Sequence, residues 1–216
     1  ARINAMRKQF EDTAVGSALS AAIDVIFAGL LWCLCSIPVI TVGPASAALY
    51  YTTVKSVRHE RGHVASTFFG AFRANFRISL AEWLIILAYV LLGAANVYAA
   101  DRMGDALGPV QRYLSRIMLL PAAFLSVWMF PFISRFENTV KGTFKCACFL
   151  MLRHFGRTAL MTLELGAFVL AGWLIPLLIP LMPGLCCLIM SYSAEGALRE
   201  AAKNSEDNNE DKWYNE

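Results

Sequence analysis

Two long uncharged segments, one near each end of the chain, dominate its pattern of hydrophobic and polar residues. Residues 25–54 carry no charged side chain, and neither do residues 165–194. Each segment holds 30 residues, whereas a bilayer core takes about 20 helical residues. Prolines and glycines interrupt both near the middle: Pro38, Gly43 and Pro44 in the first, and Pro176, Pro180, Pro183 and Gly184 in the second. The pattern therefore predicts two tight hairpins, each pairing a full span with a shortened or tilted helix.

The residues between the hairpins predict further spans, so the fold class is all-α, an integral membrane helical bundle. The first hairpin should contain a span over about 14–37 and a returning helix over about 45–58, and the second a span over about 158–180 and a short helix over about 184–198. Two more spans, about 78–100 and 110–134, lie between them. The total is about six membrane helices, two of them short.

Two basic segments, 55–77 and 135–157, repeat one another loosely. Each carries five Lys or Arg against one acid and places aromatic and aliphatic residues on one helical face. This pattern is typical of an amphipathic helix in the interface, with its aromatic face toward the acyl chains and its basic face toward anionic lipid. We therefore predict two interfacial amphipathic helices, each leading into a span, and membrane lipid as a partner.

The basic segments also predict the topology. Lys and Arg concentrate in cytoplasmic loops, which places both basic segments and both termini in the cytoplasm of a multi-pass cell-membrane protein. The predicted organisation is a cytoplasmic N-terminal arm over 1–13, a membrane domain over 14–199 and an acidic cytoplasmic tail over 200–216. Arg102, Arg112 and Arg116 would then lie on the outer side, balanced locally by Asp101 and Asp105.

Composition agrees with the membrane assignment and disfavours other classes of protein. Of the 216 residues, 57% are hydrophobic and only 16% are charged, compared with about a quarter charged in a soluble domain. The net charge of +3 does not indicate nucleic-acid binding, because the basic residues lie where apolar segments end. The six cysteines occur as C-x-C or C-C pairs, which favours small buried hydrophobes over disulfides or a metal site.

No catalytic, metal or cofactor constellation stands out. His59 and His63 lie four residues apart without an obvious third ligand, so interfacial histidines are the favoured interpretation. Three acids fall within predicted spans: Asp24, Glu82 and Glu164. A buried charge is costly unless it is paired, so each is a candidate intramembrane polar site, with pairing inside the bundle as the structural alternative.

Three groups of residues resemble the YesL family of small bacterial multi-pass membrane proteins. The first is the stretch from Leu31 to Pro44, LWCLCSIPVITVGP, followed by Ala48-Leu49-Tyr50-Tyr51. The second comprises Phe68-Phe69, Phe72-Arg73 and Asn75-Phe76, and the third is Arg135-Phe136-Glu137-Asn138-Thr139, with Leu152-Arg153-His154-Phe155 and Arg157-Thr158 after it. The resemblance covers about residues 20 to 160 and brings no catalytic residue.

The resemblance implies an accessory role in carbohydrate uptake, because such proteins are typically encoded beside carbohydrate ABC importers of Gram-positive bacteria. We therefore expect a non-catalytic accessory subunit that binds the importer's permease subunits. The alternatives are a small stand-alone solute carrier, a membrane component of a sugar-sensing system and, least favoured, an intramembrane enzyme. The candidate partner-binding residues are Trp32, Ser36, Pro38, Gly43, Pro44, Tyr50, Tyr51, Arg135, Glu137, Asn138 and Arg153.

Overall fold

The chain is a helical bundle in this computed structural model, which describes residues 14–58, 63–102, 108–136 and 139–204. No strand occurs within these ranges. The α-helices are α1 (Ala14–Cys35), α2 (Val42–Thr52), α3 (Val64–Arg102), α4 (Gly108–Ile117), α5 (Leu120–Ile133), α6 (Val140–Arg153), α7 (Phe155–Leu174) and α8 (Met182–Asn204). A π-helical turn over Thr53–Arg58 extends α2. The predicted arm over 1–13 and the tail beyond Asn204 lie outside the described residues.

Three helical stretches are long and apolar enough to cross a membrane, which indicates a membrane protein. They are Val64–Arg102, Pro109–Ile133 and Phe155–Leu174, and a shorter apolar helix covers Leu19–Cys35. The second stretch combines α4 and α5, which meet at a short break at residues 118–119. The α8 helix continues to Asn204, beyond the predicted domain boundary at residue 199.

The first predicted amphipathic helix differs from the expectation, because it is not a separate interfacial element. Residues 64–102 form one continuous helix of 39 residues, about 58 Å long. No proline lies in this stretch to remove a helix hydrogen bond, so the basic segment runs directly into the span. Phe68 is fully buried in a cluster with Leu49 of α2, so part of the aromatic face packs against protein where we expected acyl chains.

The second predicted amphipathic helix is a distinct element. The side chain of Thr139 caps α6, its Oγ1 accepting a hydrogen bond from the Gly142 amide at 3.3 Å, and the helix ends at a break at His154. Ala147 and Leu150 are buried, and Phe144 packs against the same core cluster. This apolar face therefore also contacts the bundle, which corrects the expectation that it faces lipid.

The α2 helix lies at the centre of the bundle, where it contacts α1, α3, α5 and α8. Small side chains make this possible: Ala45, Ala47 and Ala48 are fully buried. Small residues let membrane helices approach closely, and the resulting packing replaces the hydrophobic driving force that lipid does not provide. The first interrupted segment is therefore the packing centre of the bundle.

The two interrupted segments pack directly against each other. A Cβ at Gly29 of α1 would collide with the carbonyl oxygen of Pro180, and a Cβ at Gly184 of α8 would collide with the carbonyl oxygen of Val25. The order of these contacts shows that α1 and α8 run antiparallel. The start of α1 therefore lies at the same end of the bundle as the end of α8.

Much of the outward-facing surface of the short helix α4 is apolar. Its large apolar side chains, Val110, Tyr113, Leu114 and Ile117, point outward, whereas Ser115 is buried against α3. The Ser115 hydroxyl donates a hydrogen bond to Asn96 Oδ1 at 3.1 Å. Inward-facing polar groups that bond to one another suit a hydrocarbon environment. An unpaired polar group there costs about several kcal/mol, because no water is present to replace the missing hydrogen bond.

Candidate functional site: a buried ion pair beside an apolar cavity

A buried ion pair joins the end of α5 to α8. Arg135 follows α5 directly, and its Nη2 donates to Oε2 of Glu195 on α8. The side chains are only 1% and 3% exposed, respectively. Tyr50 of α2 completes the group, since its hydroxyl donates to the other oxygen of Glu195 at 3.3 Å. Buried charges of opposite sign must be paired to be tolerated, and these three residues bring the two charges together between α2, α8 and the end of α5.

Two further arginines of the basic segments contact the same stretch of α8. Arg58 donates from Nη1 to the backbone carbonyl of Ser191 at 3.2 Å, and its guanidinium lies 4.3 Å from the ring centre of Tyr192. The guanidinium of Arg157 lies over Gly196. The basic side chains expected to contact lipid headgroups or a partner therefore include three that hold α8 in place.

Glu82 of α3 is the most isolated of the predicted intramembrane acids. Its side chain is fully buried, and neither carboxylate oxygen has a hydrogen-bond partner among the described residues. The hydroxyl of Thr143 lies beside it and is within 3.2 Å of the carbonyl oxygen of Thr139. Ser79, one turn earlier on α3, is also buried with an unpaired hydroxyl in the described part of the chain.

The other two predicted acids lie elsewhere. Asp24 is half-buried on α1, and Glu164 is half-buried on α7, where it lies near Cys186. The structure does not bring Asp24, Glu82 and Glu164 together into one site. Over the residues described, no group of three His, Cys, Asp or Glu side chains could hold a metal ion.

The predicted partner-binding residues fall into three classes. Four of them are buried in the bundle: Gly43, Pro44, Tyr50 and Arg135. Trp32, Ser36 and Tyr51 are half-buried, whereas Pro38 and Arg153 are exposed. Glu137 and Asn138 lie outside the described residues. The buried members act through internal packing, so a surface contact with a partner is left to the exposed ones.

The exposed Pro38 belongs to a well-ordered turn between α1 and α2. The indole Nε1 of Trp83 donates to the carbonyl of Val39 at 2.8 Å, and the hydroxyl of Thr41 donates to the carbonyl of Cys35 at 2.6 Å. Ile37, Val39 and Ile40 remain exposed in this turn. Gly43 fits closely behind it, since its Cβ would lie 2.7 Å from the Ser79 carbonyl oxygen. The turn therefore presents a fixed apolar surface.

A cavity of about 550 Å³ lies beside Tyr50, between α1, α2, α5, α7 and α8. No charged side chain lines it. The polar groups in its wall bond to the protein itself: Trp32 Nε1 donates to Ser46 Oγ at 3.1 Å, and the Ser126 hydroxyl donates to the carbonyl of Ala123 at 2.8 Å. Most residues that line the cavity are apolar, and the donors of Trp32 and Ser126 are already used in hydrogen bonds within the protein.

Glu195 is the residue of this site that the sequence analysis did not single out, because it lies just past the second uncharged segment. A signal was available. Ala194, Ala197 and Leu198 surround it with small and apolar positions at helical spacing, and all three are buried. A charged residue within the apolar face of a helix such as α8 requires a buried partner, because the charge is otherwise removed from water without compensation.

Comparison with known proteins gives one partial match. A family model described as a protein of unknown function, DUF624, matches residues 25–97. The matched range holds the second half of α1, all of α2 and most of α3, including Glu82, but not Arg135 or Glu195. No curated protein and no solved structure matches the chain.

Proposed function

We propose that this chain is a non-catalytic accessory subunit of a carbohydrate ABC importer and assists the assembly, stability or regulation of its permease subunits. The observation that carries the proposal is the direct packing of the two interrupted segments at Gly29 and Gly184. In secondary transporters, interrupted helices instead line a polar substrate site. Here the cavity beside them is lined mainly by apolar side chains and by no charged one, and its few polar wall groups already bond to the protein, so it offers a sugar few hydrogen bonds.

The contact with a permease is assigned to the α1–α2 turn. Ile37 is 75% exposed, and Val39 and Ile40 are exposed beside it. The turn is fixed by hydrogen bonds from Trp83 and Thr41, and a rigid surface loses little conformational entropy when it binds. It also lies in the range that matches the family model and carries the most specific part of the resemblance.

The proposed topology is multi-pass, with both termini in the cytoplasm. Arg58, Arg135 and Arg157 meet the same stretch of α8, so the basic residues collect at one end of the bundle. The antiparallel packing of α1 and α8 supports a common side for the two termini. At the far end of α3, Asp101 pairs with Arg116 at 3.1 Å, which neutralises an arginine that the positive-inside rule disfavours there.

Affinity purification of the full chain from native membranes tests this function. The unaltered chain should co-purify with the permease subunits of a carbohydrate importer. Ile37→Trp should lower the recovered permease about fivefold, the effect of ~1 kcal/mol of binding energy. The matched control is Leu177→Trp, which changes an 88% exposed aliphatic residue in the turn of the other hairpin and should leave recovery unchanged.

Two results would contradict the proposal. If no permease subunit co-purified with the chain, the proposed accessory function would be contradicted. If a sensor kinase co-purified and no permease subunit did, the sugar-sensing alternative would be favoured. Proteoliposomes that contain only this chain should not accumulate oligosaccharide. Uptake by the chain alone would identify it as a carrier.

A further inference from the structure

We propose that the apolar cavity beside Tyr50 is a binding site for one acyl chain of a membrane lipid, which enters laterally at α7. The inference concerns a ligand and does not depend on the identity of a protein partner. It rests on the chemistry of the wall, the size of the cavity and the exposure of the residues at its mouth.

The wall selects for hydrocarbon. Aromatic rings and prolines from different helices form much of it, among them Phe130, Phe168 and Pro183. The indole of Trp32 and the hydroxyls of Tyr50 and Ser126 have their hydrogen bonds to other protein groups. A polar ligand would lose its own hydrogen bonds on entry and regain few of them, so the site discriminates against it.

The size and the mouth of the cavity fit a chain drawn from the bilayer. Its volume of about 550 Å³ lies within the range of roughly 300–1,000 Å³ that is common for small-molecule sites. Val169 and Trp173 of α7 both line the cavity and are largely exposed, Trp173 by 78%. The mouth therefore opens on an apolar helix face that is long enough to span a membrane.

A lipid chain has a physical reason to enter. Atoms that line an empty space lose the dispersion contacts that close packing would give them. An acyl chain already lies in hydrocarbon, so its transfer into the cavity removes no polar group from water. Filling the cavity therefore restores packing without a desolvation cost.

Photolabelling in vesicles tests the site. The full chain is reconstituted in phosphatidylcholine vesicles that contain a phosphatidylcholine with a diazirine on its acyl chain, and labelled peptides are identified by mass spectrometry. Met190 lines the cavity and is only 8% exposed, whereas Leu170 is exposed and outside the cavity wall. We expect both residues to be labelled, because Met190 can be reached through the cavity.

Two glycine variants of α7 separate occupation of the cavity from general contact with lipid. Gly172 lines the cavity, and its Cβ would meet only Ile179 Cγ1 at 3.9 Å, so Gly172→Leu should narrow the cavity. It should lower Met190 labelling, relative to Leu170, by about fivefold, a loss typical of one binding contact. Gly166→Leu adds the same side chain where nothing lies within 4 Å and should leave the ratio unchanged.

Several outcomes would overturn the proposal. Labelling of Leu170 without labelling of Met190 in the unaltered protein would refute it. This outcome does not depend on whether either variant folds. An equal loss of labelling in Gly172→Leu and Gly166→Leu would also refute it. Met190 labelling that is as strong in Gly172→Leu as in the unaltered protein would also refute it, because the label would then not reach Met190 through the cavity.

Discussion

Replacing Glu195 with glutamine should lower the free energy of unfolding by about 3–5 kcal/mol, the usual cost of breaking a buried ion pair. The substitution keeps the size of the side chain and an oxygen that can accept from Tyr50, but it removes the negative charge opposite Arg135. Because the two side chains are 1% and 3% exposed, water cannot compensate for the lost charge.

The double variant Arg135→Met with Glu195→Leu should recover most of that loss. Removing both charges leaves no buried ion, and apolar replacements for a buried pair are often neutral or stabilising. Unfolding would be followed by tryptophan fluorescence as denaturing detergent is added to the protein in mild micelles. The single variants Arg135→Met and Glu195→Leu, together with the double variant, give the coupling energy of the pair.

An exposed ion pair in the same chain provides the control. Asp101 and Arg116 are 42% and 54% exposed, so Asp101→Asn should cost no more than about 1 kcal/mol. Equal losses for Glu195→Gln and Asp101→Asn would refute the argument that burial makes the first pair matter. A double variant less stable than Glu195→Gln alone would refute it as well.

Three further predictions address packing, the isolated acid and topology. Gly29→Ala should destabilise the bundle by about 1–3 kcal/mol in the same detergent titration, because its Cβ would collide with Pro180. Gly70→Ala, where a Cβ meets nothing within 4 Å, should instead be neutral or slightly stabilising, and equal effects would contradict the close approach. Glu82→Gln should keep or raise stability, because glutamine removes a carboxylate from the buried interior and keeps an oxygen that can accept from Thr143, and a loss above ~1 kcal/mol would show that the charge itself is stabilised. Fluorescent-protein fusions at both termini should fluoresce and alkaline phosphatase fusions should be inactive, and an active phosphatase at either end would contradict the topology.

The uncharged segments and their proline and glycine interruptions were sufficient to predict an all-α membrane bundle. The reason is that hydrocarbon forces the backbone to satisfy its own hydrogen bonds, so long apolar segments must become helices, and proline marks where they end. The hairpin of α1 and α2 and the separate helix α6 follow the prediction. The number of full spans and the side of the termini stay predictions.

Tertiary packing decided whether each apolar helix face contacts lipid or protein, which the local sequence pattern could not show. Helical periodicity shows that Phe68 and Phe144 lie on apolar faces, but the same face can meet lipid or protein, and in this fold much of it meets protein. The choice depends on which helices are neighbours. The sequence predicted that the basic segment before Ile78 leads into a span, and the structure shows that the two form one continuous helix, α3.

What the sequence determined by itself is the environment of the chain, since composition and the length of the apolar segments depend on no long-range contact. Only the tertiary structure decided what the charges do. Arg135 and Glu195 are 60 residues apart and Tyr50 is 145 residues from Glu195, so no local pattern could join them. Their burial turns residues expected at a surface into an internal anchor, because a charge removed from water must find its partner wherever the fold brings one.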